Sequence, residues 1–182
     1  MAEPLMDRQV VHDELEAART AFHELLDDAT DADLRRPTDG TRWTNEQLLF
    51  HMLFGYILMR PLLILMRFFG RLPRGASWTF ARVLDAGTRP FDVVNYLGPL
   101  GGARVLGRHG MGAAFDRVIA GLHRRLDAER DAQLSLGMHY PTRWDPFFRD
   151  VMTIADLYRY PTRHFEFHRR QLSLPAGPQS AR

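Results

Sequence analysis

The stretch "WTNEQLLFHMLFGYILM", residues 43–59, decides the fold because it predicts where a long helix begins. Thr44 suits the N-cap position, and Gln47 follows three residues later, which completes a capping box. Trp43 and Leu48 occupy the positions of a hydrophobic staple across that cap. We therefore predict a helix that begins after Thr44 and continues well past the quoted stretch.

This helix should end near Phe69, and residues 48–70 are apolar enough and long enough to cross a bilayer. Arg60 and Pro61 fall near the middle, where a charge is costly in a membrane. We therefore expect a helix of a soluble protein, with excess apolar surface that forms a dimer interface or an apolar substrate pocket. Pro61 should kink it by removing a hydrogen bond and clashing with the carbonyl of Ile57.

Apolar stripes with helical spacing predict three more long helices. They span about Asp7–Asp28, Met111–Gln133 and Thr153–Leu172. Pro161 should disturb the last of them. No stretch alternates with the period of a strand, so we predict an all-α fold, a four-helix bundle. A chain of 182 residues favours one domain over residues 1–182, with its core at 6–172 and a frayed tail at 173–182.

Residues 70–108 differ in composition from the predicted helices, since they contain seven glycines and three prolines. Residues 77–85 could form a short helix, and the rest reads as a long ordered connection. Antiparallel neighbours in a bundle need links of only about 2–8 residues. Aromatic residues in the segment argue against a solvated tether; they are Trp78, Phe80, Phe91 and Tyr96. We expect either a lid over the open end of the bundle near Trp144, or a structural cover for the apolar helix or the dimer contact.

Composition excludes several classes of function. The chain has no cysteine, so disulfides, thiolate metal sites and a cysteine nucleophile are ruled out.

All 24 basic residues are arginine, which we interpret as the mark of a GC-rich genome. Residues 1–40 hold eleven acids and four arginines, whereas residues 41–182 hold eleven acids and twenty arginines. This asymmetry fits solvated helix faces or an arginine-lined site for an anionic ligand. The arginines are scattered and accompany no recognisable motif, which argues against nucleic-acid binding.

The acidic start of the chain predicts a cytoplasmic protein without an export signal.

Three histidines form the candidate site. His164 and His168 lie four residues apart on one predicted helix, so their rings can bind one metal ion together. His51 lies two turns into the apolar helix, which can face the last helix in a bundle. Three imidazoles would leave a coordination position open, as in catalytic metal sites. Such all-nitrogen ligation suits zinc, nickel, iron or copper; we place zinc and nickel first and iron next.

We interpret the remaining histidines as non-ligands, namely His12, His23, His109, His123 and His139. His139 precedes Tyr140 in a loop and could instead approach the site as a proton carrier. Glu166 should point away from the ligand pair. Tyr158 and Tyr160 are expected to pack in the core or at its rim.

Two motifs carry a resemblance to DinB-like proteins. "GTRWTNEQLLFHML", residues 40–53, resembles the family segment in which W-[ST] opens the second helix and a histidine follows. "HFEFHRRQL", residues 164–172, looks like the late H-x3-H helix of that family. The resemblance covers most of residues 7–172. It implies a four-helix bundle with a metal held by His51, His164 and His168, and often a homodimer. Some relatives are transferases or isomerases that use low-molecular-weight thiols, including mycothiol, bacillithiol or glutathione.

Two classes of function follow. The first is a metal-dependent enzyme, either a thiol-dependent transferase or isomerase of the mycothiol type or a hydrolase that uses metal-activated water. Without a cysteine in the chain, the thiol must arrive as a cosubstrate, and the arginine-only composition hints at an actinobacterial source. The second is a non-catalytic helical bundle, a ligand-binding or stress-associated interaction protein. For the enzyme we expect a partly apolar small-molecule substrate, and for the second class an apolar pocket or interface.

Overall fold

The structure is a computed structural model that describes residues 6–174, and it is mostly helical. The helices are α1 (Arg8–Asp28), α2 (Asp31–Arg35), α3 (Asn45–Phe69), α4 (Arg74–Ala86), α5 (Thr88–Ala128), α6 (Asp131–Leu134) and α7 (Ile154–Arg169). Two short strands, β1 (Gly137–His139) and β2 (Val151–Thr153), pair in an antiparallel sheet. The predicted helical fold is confirmed, whereas the absence of strands was wrong. Three-residue strands are too short to show a recognisable alternation.

The start of α3 forms as predicted. Thr44 accepts a hydrogen bond from the backbone N–H of Gln47 through its hydroxyl, and the Gln47 side chain accepts one from the N–H of Thr44 at 3.0 Å. Thr153 and Asp156 make the same reciprocal pair at the start of α7. Neither Pro61 in α3 nor Pro161 in α7 interrupts its helix. Both helices therefore keep a regular register across the positions that carry the histidines.

The direction of α5 explains the long connection. Contacts between α3 and α5 occur in the same order along both helices. Phe50 contacts Gly102, and Tyr56, further along α3, contacts Phe115, further along α5. Arg67 then pairs with Glu129, just past the end of α5. The two helices thus run parallel, and the expectation of antiparallel neighbours with a short link was wrong. A chain that joins parallel helices must travel back along the length of the first one, about 37 Å for 25 residues at 1.5 Å each.

The return path is itself helical. α4 contains the short helix predicted at residues 77–85, and Phe80 stacks on Phe69 of α3 at 4.7 Å. Residues 88–106 then form the first half of α5, which bends at Gly107 with a φ of 59°. The third long helix was predicted at about Met111–Gln133; the helical stretch after Gly107 begins close to that start but stops earlier, at Ala128, and the helical form of residues 88–106 was not predicted. Glycine disfavours a helix by only about 1 kcal/mol, and tertiary packing outweighs that cost here.

Gly102 shows what such packing requires. A Cβ atom built at this position would lie 2.0 Å from Cζ of Phe50, so a larger residue would force the Phe50 ring or the helix to shift. The first half of α5 thereby covers part of the apolar surface of α3.

One apolar core holds α1, α3, the second half of α5 and α7 together. α7 runs antiparallel to α3, since Gly55 lies against His164 and His51 lies against His168. α3 is long and apolar enough to span a membrane, but half of its most apolar window is buried inside the protein. That burial accounts for part of its apolar composition, since Ile64 and Phe68 remain more than half exposed. Of the predicted frayed tail, residues 175–182 lie outside the described part of the chain.

Removing the cap of α3 should destabilise the protein. We expect Thr44→Ala to lower the free energy of unfolding by about 0.5–2 kcal/mol, because the N–H of Gln47 loses its acceptor. Urea denaturation monitored by circular dichroism measures the change. Thr44→Ser keeps the hydroxyl and serves as the matched control. Equal unfolding midpoints for the alanine and serine variants would contradict a role for the cap.

Candidate metal centre

The antiparallel packing of α3 and α7 brings the three predicted histidines together. The ring centroid of His51 lies 5.0 Å from that of His164 and 4.8 Å from that of His168, and the latter two are 4.5 Å apart. Each offers one ring nitrogen, and these nitrogens lie within 4.8 Å of one another. Within residues 6–174 this is the only such group of three or more potential ligand side chains. The three side chains can therefore hold one metal ion.

A glycine makes room for this convergence. A Cβ atom at position 55, one turn after His51, would lie 3.1 Å from Nδ1 of His164. That separation is closer than ordinary van der Waals contact, so a larger residue would displace the imidazole. Pro161 lies one turn before His164 and leaves it in place, since α7 stays continuous there.

Hydrogen bonds determine which ring nitrogens of the three histidines keep a lone pair that can bind a metal. Nδ1 of His168 lies 2.7 Å from Oε1 of Gln171, an amide oxygen that can only accept, so the hydrogen is on Nδ1 and Nε2 keeps its lone pair. Nδ1 of His51 and Nδ1 of His164 are buried and have no hydrogen-bond partner among the described residues. Buried polar atoms are seldom left unpaired, because the loss of hydration is costly. The two orphaned nitrogens fit a group that the chain itself does not supply.

Burial keeps the three imidazoles neutral. It lowers the pKa of His51 to about 3, with a further effect from His168 nearby. Burial also lowers the pKa of His164 well below its usual value, and the other two histidines add to the shift. For His168 burial lowers the pKa despite the opposing effects of Gln171 and Asp145. The neutral imidazole is the form that binds metals, so the site is ready for a transition metal at neutral pH.

Asp145 is a site residue that the sequence prediction missed. Its Oδ2 accepts a hydrogen bond from the hydroxyl of Tyr160 at 2.8 Å and lies 3.7 Å from Nε2 of His164. Its Oδ1 accepts a hydrogen bond from the N–H of Phe147 at 2.8 Å. Burial raises the pKa of this carboxyl group, and those hydrogen bonds oppose the shift. In the sequence, Asp145 stands out only as an acid within the aromatic segment "RWDPFF", residues 143–148. No motif spacing links it to the three histidines.

Tyr160 was expected to act through packing alone, yet it holds Asp145 in position through its hydroxyl. Burial raises the pKa of Tyr160 well above its usual value, and the neighbouring carboxylate adds to the shift. The phenol therefore stays protonated and remains a donor. Tyr158 is buried in the core and donates a hydrogen bond to Glu129 instead.

The other histidines lie elsewhere. His139 is on β1, where Nδ1 lies 3.0 Å from Oδ1 of Asp150, and its side chain does not line the cavity beside the three histidines. The structure thus does not bring the suggested proton carrier into the site. His12 and His123 stack on each other across α1 and α5, and His23 pairs with Asp116.

Two further residues were expected outside the site. His109 is exposed on α5. Glu166 pairs with Arg169 near the surface.

The histidines open onto an apolar cavity of about 420 Å³. Aromatic and aliphatic side chains form most of its wall, together with Asp145 and Asn95; they include Trp43, Phe54, Leu58, Leu62, Phe91, Val94, Trp144, Phe147, Phe148 and Phe167. Phe91 stacks on Trp144 with ring centroids 4.0 Å apart. Trp43 donates a hydrogen bond to the carbonyl of Tyr96 at 3.2 Å. The first half of α5 therefore lies beside the site, where the lid was expected, and it covers α3 as well.

The metal-free protein should lose stability in mild acid. The folded-state pKa of His51, about 3, is below its ordinary value of about 6.5. Between these values the unfolded chain binds more protons, so the free energy of unfolding falls as the pH drops below about 6.5. We expect a slope of at most about 1.4 kcal/mol per pH unit from each such histidine.

Urea midpoints measured between pH 7.5 and pH 5, a range chosen to stay above most carboxyl pKa values of about 4, test this expectation. His51→Gln should flatten the slope, whereas the same change at exposed His109 should not. A stability that stays constant over this range would contradict burial of neutral imidazoles.

Comparison with known proteins identifies the family. No curated protein and no solved structure matched the chain. The family model of the DinB superfamily matches residues 14–172, a range that contains all three site histidines and both helices that carry them. The chain is therefore a member of the DinB superfamily.

Proposed function

We propose that the protein is a metal-dependent enzyme built on a four-helix bundle of the DinB type. The observation that carries the proposal is the convergence of His51, His164 and His168 beside a cavity large enough for a small molecule. Three protein ligands leave further coordination positions, which is typical of catalytic rather than structural zinc sites. The metal is zinc or nickel in the first instance, with iron as a further candidate.

Each of the chain's own residues at the site would have a distinct role. The three imidazoles hold the metal, and Gln171 fixes the ring orientation and tautomer of His168. Asp145, held by Tyr160, presents a carboxylate that can accept a hydrogen bond from a substrate N–H or O–H. The aromatic wall excludes water and binds the apolar part of the substrate. When bound, the metal supplies Lewis acidity and lowers the pKa of a thiol or water that coordinates to it.

The reaction we favour uses a thiol cosubstrate. The chain lacks cysteine, so a sulfur nucleophile must come from a small molecule of the mycothiol type. A transferase or isomerase would bind the thiol at the metal and the apolar substrate against the wall that includes Phe91 and Trp144. Hydrolysis by metal-activated water is the variant of the same chemistry. A cytoplasmic location, an actinobacterial source and a homodimer belong to this proposal.

A second candidate function is a non-catalytic ligand-binding or interaction protein. The observation in its favour is the exposed apolar surface on the return segment. Val93, Val94, Leu97 and Val105 are each more than half exposed. Such a surface suits a partner or a second copy of the chain.

Metal analysis separates the two candidates. Protein purified without a histidine tag should contain about one transition metal per chain, measured by inductively coupled plasma mass spectrometry. His51→Gln, His164→Gln and His168→Gln should each lose the metal, because two imidazoles bind it far more weakly than three. His109→Gln is the matched control and should keep the metal. Absence of metal after reconstitution with zinc, nickel and iron would favour the binding protein.

Point substitutions test the cover of the cavity. Because α3 and α5 run parallel, a short linker in place of residues 73–104 could not span the distance, so the segment has to stay intact. We expect Phe91→Ala and Trp144→Ala to keep the bound metal but to weaken binding of a neutral apolar dye such as Nile red and to slow turnover with a panel of thiols. Trp78→Ala is the control, since Trp78 is 52% exposed and lies outside the cavity wall. Unchanged dye binding and turnover in the first two variants would contradict a role for this cover.

A further inference from the structure

A second cavity lies on another side of α3. It has a volume of about 580 Å³ and shares no lining residue with the cavity beside the histidines. α3 and the second half of α5 form its walls. Five of its twelve lining residues are arginines, namely Arg60, Arg67, Arg117, Arg124 and Arg125. Among the described residues no acidic side chain lines it. We call it the arginine groove.

The spacing of the arginines follows from the parallel helices. Arg60 and Arg67 are seven residues apart on α3, and Arg117 and Arg124 are seven residues apart on α5. Seven residues make nearly two helical turns, so each pair lies on one side of its helix with Cα atoms about 10 Å apart. Two parallel helices with matched spacing thus place guanidinium groups along both sides of one groove.

Most of this positive charge is not neutralised by the chain. Arg67 pairs with Glu129, a carboxylate that is 5% exposed and also accepts a hydrogen bond from Tyr158. The other four arginines have no carboxylate partner within residues 6–174. Like charges gathered in one concave site raise the local positive potential and attract an anion.

The floor of the groove is apolar. Tyr56, Ile57, Val118 and Leu122 line it together with two alanines and a glycine. A bare inorganic anion would leave this surface in contact with water. A ligand that carries both an anionic group and an apolar body would satisfy the arginines and cover the floor.

We infer that the arginine groove binds a small amphiphilic phosphate ester, with its phosphate groups on the guanidinium groups and its apolar part on the floor. Guanidinium groups bind phosphate oxygens through paired hydrogen bonds, and several of them side by side suit a diphosphate better than a single carboxylate. The site is separate from the histidine cavity, and the inference does not depend on the metal.

Isothermal titration calorimetry on the full chain tests the inference with two probes, inorganic pyrophosphate and geranyl diphosphate. We expect both to bind in low salt, and geranyl diphosphate to bind at least about fivefold more tightly because it also covers apolar surface. The double variant R117Q/R124Q should weaken binding of both by about tenfold or more. The double variant R89Q/R104Q removes the same charge from exposed positions of α5 outside the groove and should change binding by less than about twofold.

Three results would overturn the inference. Equal losses in the two double variants would mean that binding follows net charge alone. Equal affinity for the two probes would mean that the apolar floor plays no part. Binding to phosphatidic acid vesicles or to a short DNA duplex, without binding to either soluble probe, would assign the arginines to a membrane surface or to nucleic acid. Unfolding midpoints of both double variants check that each is folded, and His51→Gln should bind the probes normally.

Discussion

The parallel packing of α3 and α5 is the constraint on which the rest of the structure depends. Parallel neighbours cannot be joined by a tight turn, so the chain has to return along the whole length of α3 before α5 can pack against it. Here the return takes the form of α4 and the first half of α5. That segment ends beside the start of α3, where Trp43 donates a hydrogen bond to Tyr96 and Phe91 stacks on Trp144. The same constraint thus produces the wall of the histidine cavity and the two sides of the arginine groove.

The histidine cluster is costly to the fold without a ligand. Three imidazoles face one another in a buried space, and two of their nitrogens lack hydrogen bonds among the described residues. Protonation of His51 or His164 would destabilise the fold, because burial and a neighbouring imidazole both oppose a positive charge there. A metal ion held by one nitrogen of each ring would offset part of that cost, so binding of the metal would also stabilise the fold.

Local signals in the sequence predicted much of the fold and the histidine site. The capping pair Thr44 and Gln47 marked the start of α3, and the i, i+4 pair His164 and His168 lies near His51 as expected. What could not be predicted depends on contacts that are distant in sequence. Residues 88–106 are helical and place Gly102 against Phe50, a contact distant in sequence, whereas glycine by itself suggests a loop. The position of Asp145 depends on a loop that Tyr160 of α7 holds through a hydrogen bond. No sequence motif links that loop to the histidines.

Because α3 borders two cavities and the core at once, almost every position along it is constrained from some direction. His51 and Gly55 contact the histidine cavity, Arg60 and Arg67 line the arginine groove, and the core takes side chains such as Leu63. A helix on the surface has one face on which neutral substitutions can accumulate, but α3 has few exposed positions of that kind. Sequence drift in this protein should therefore be slowest along α3 and fastest on the outer faces of α1 and α4, which border neither cavity.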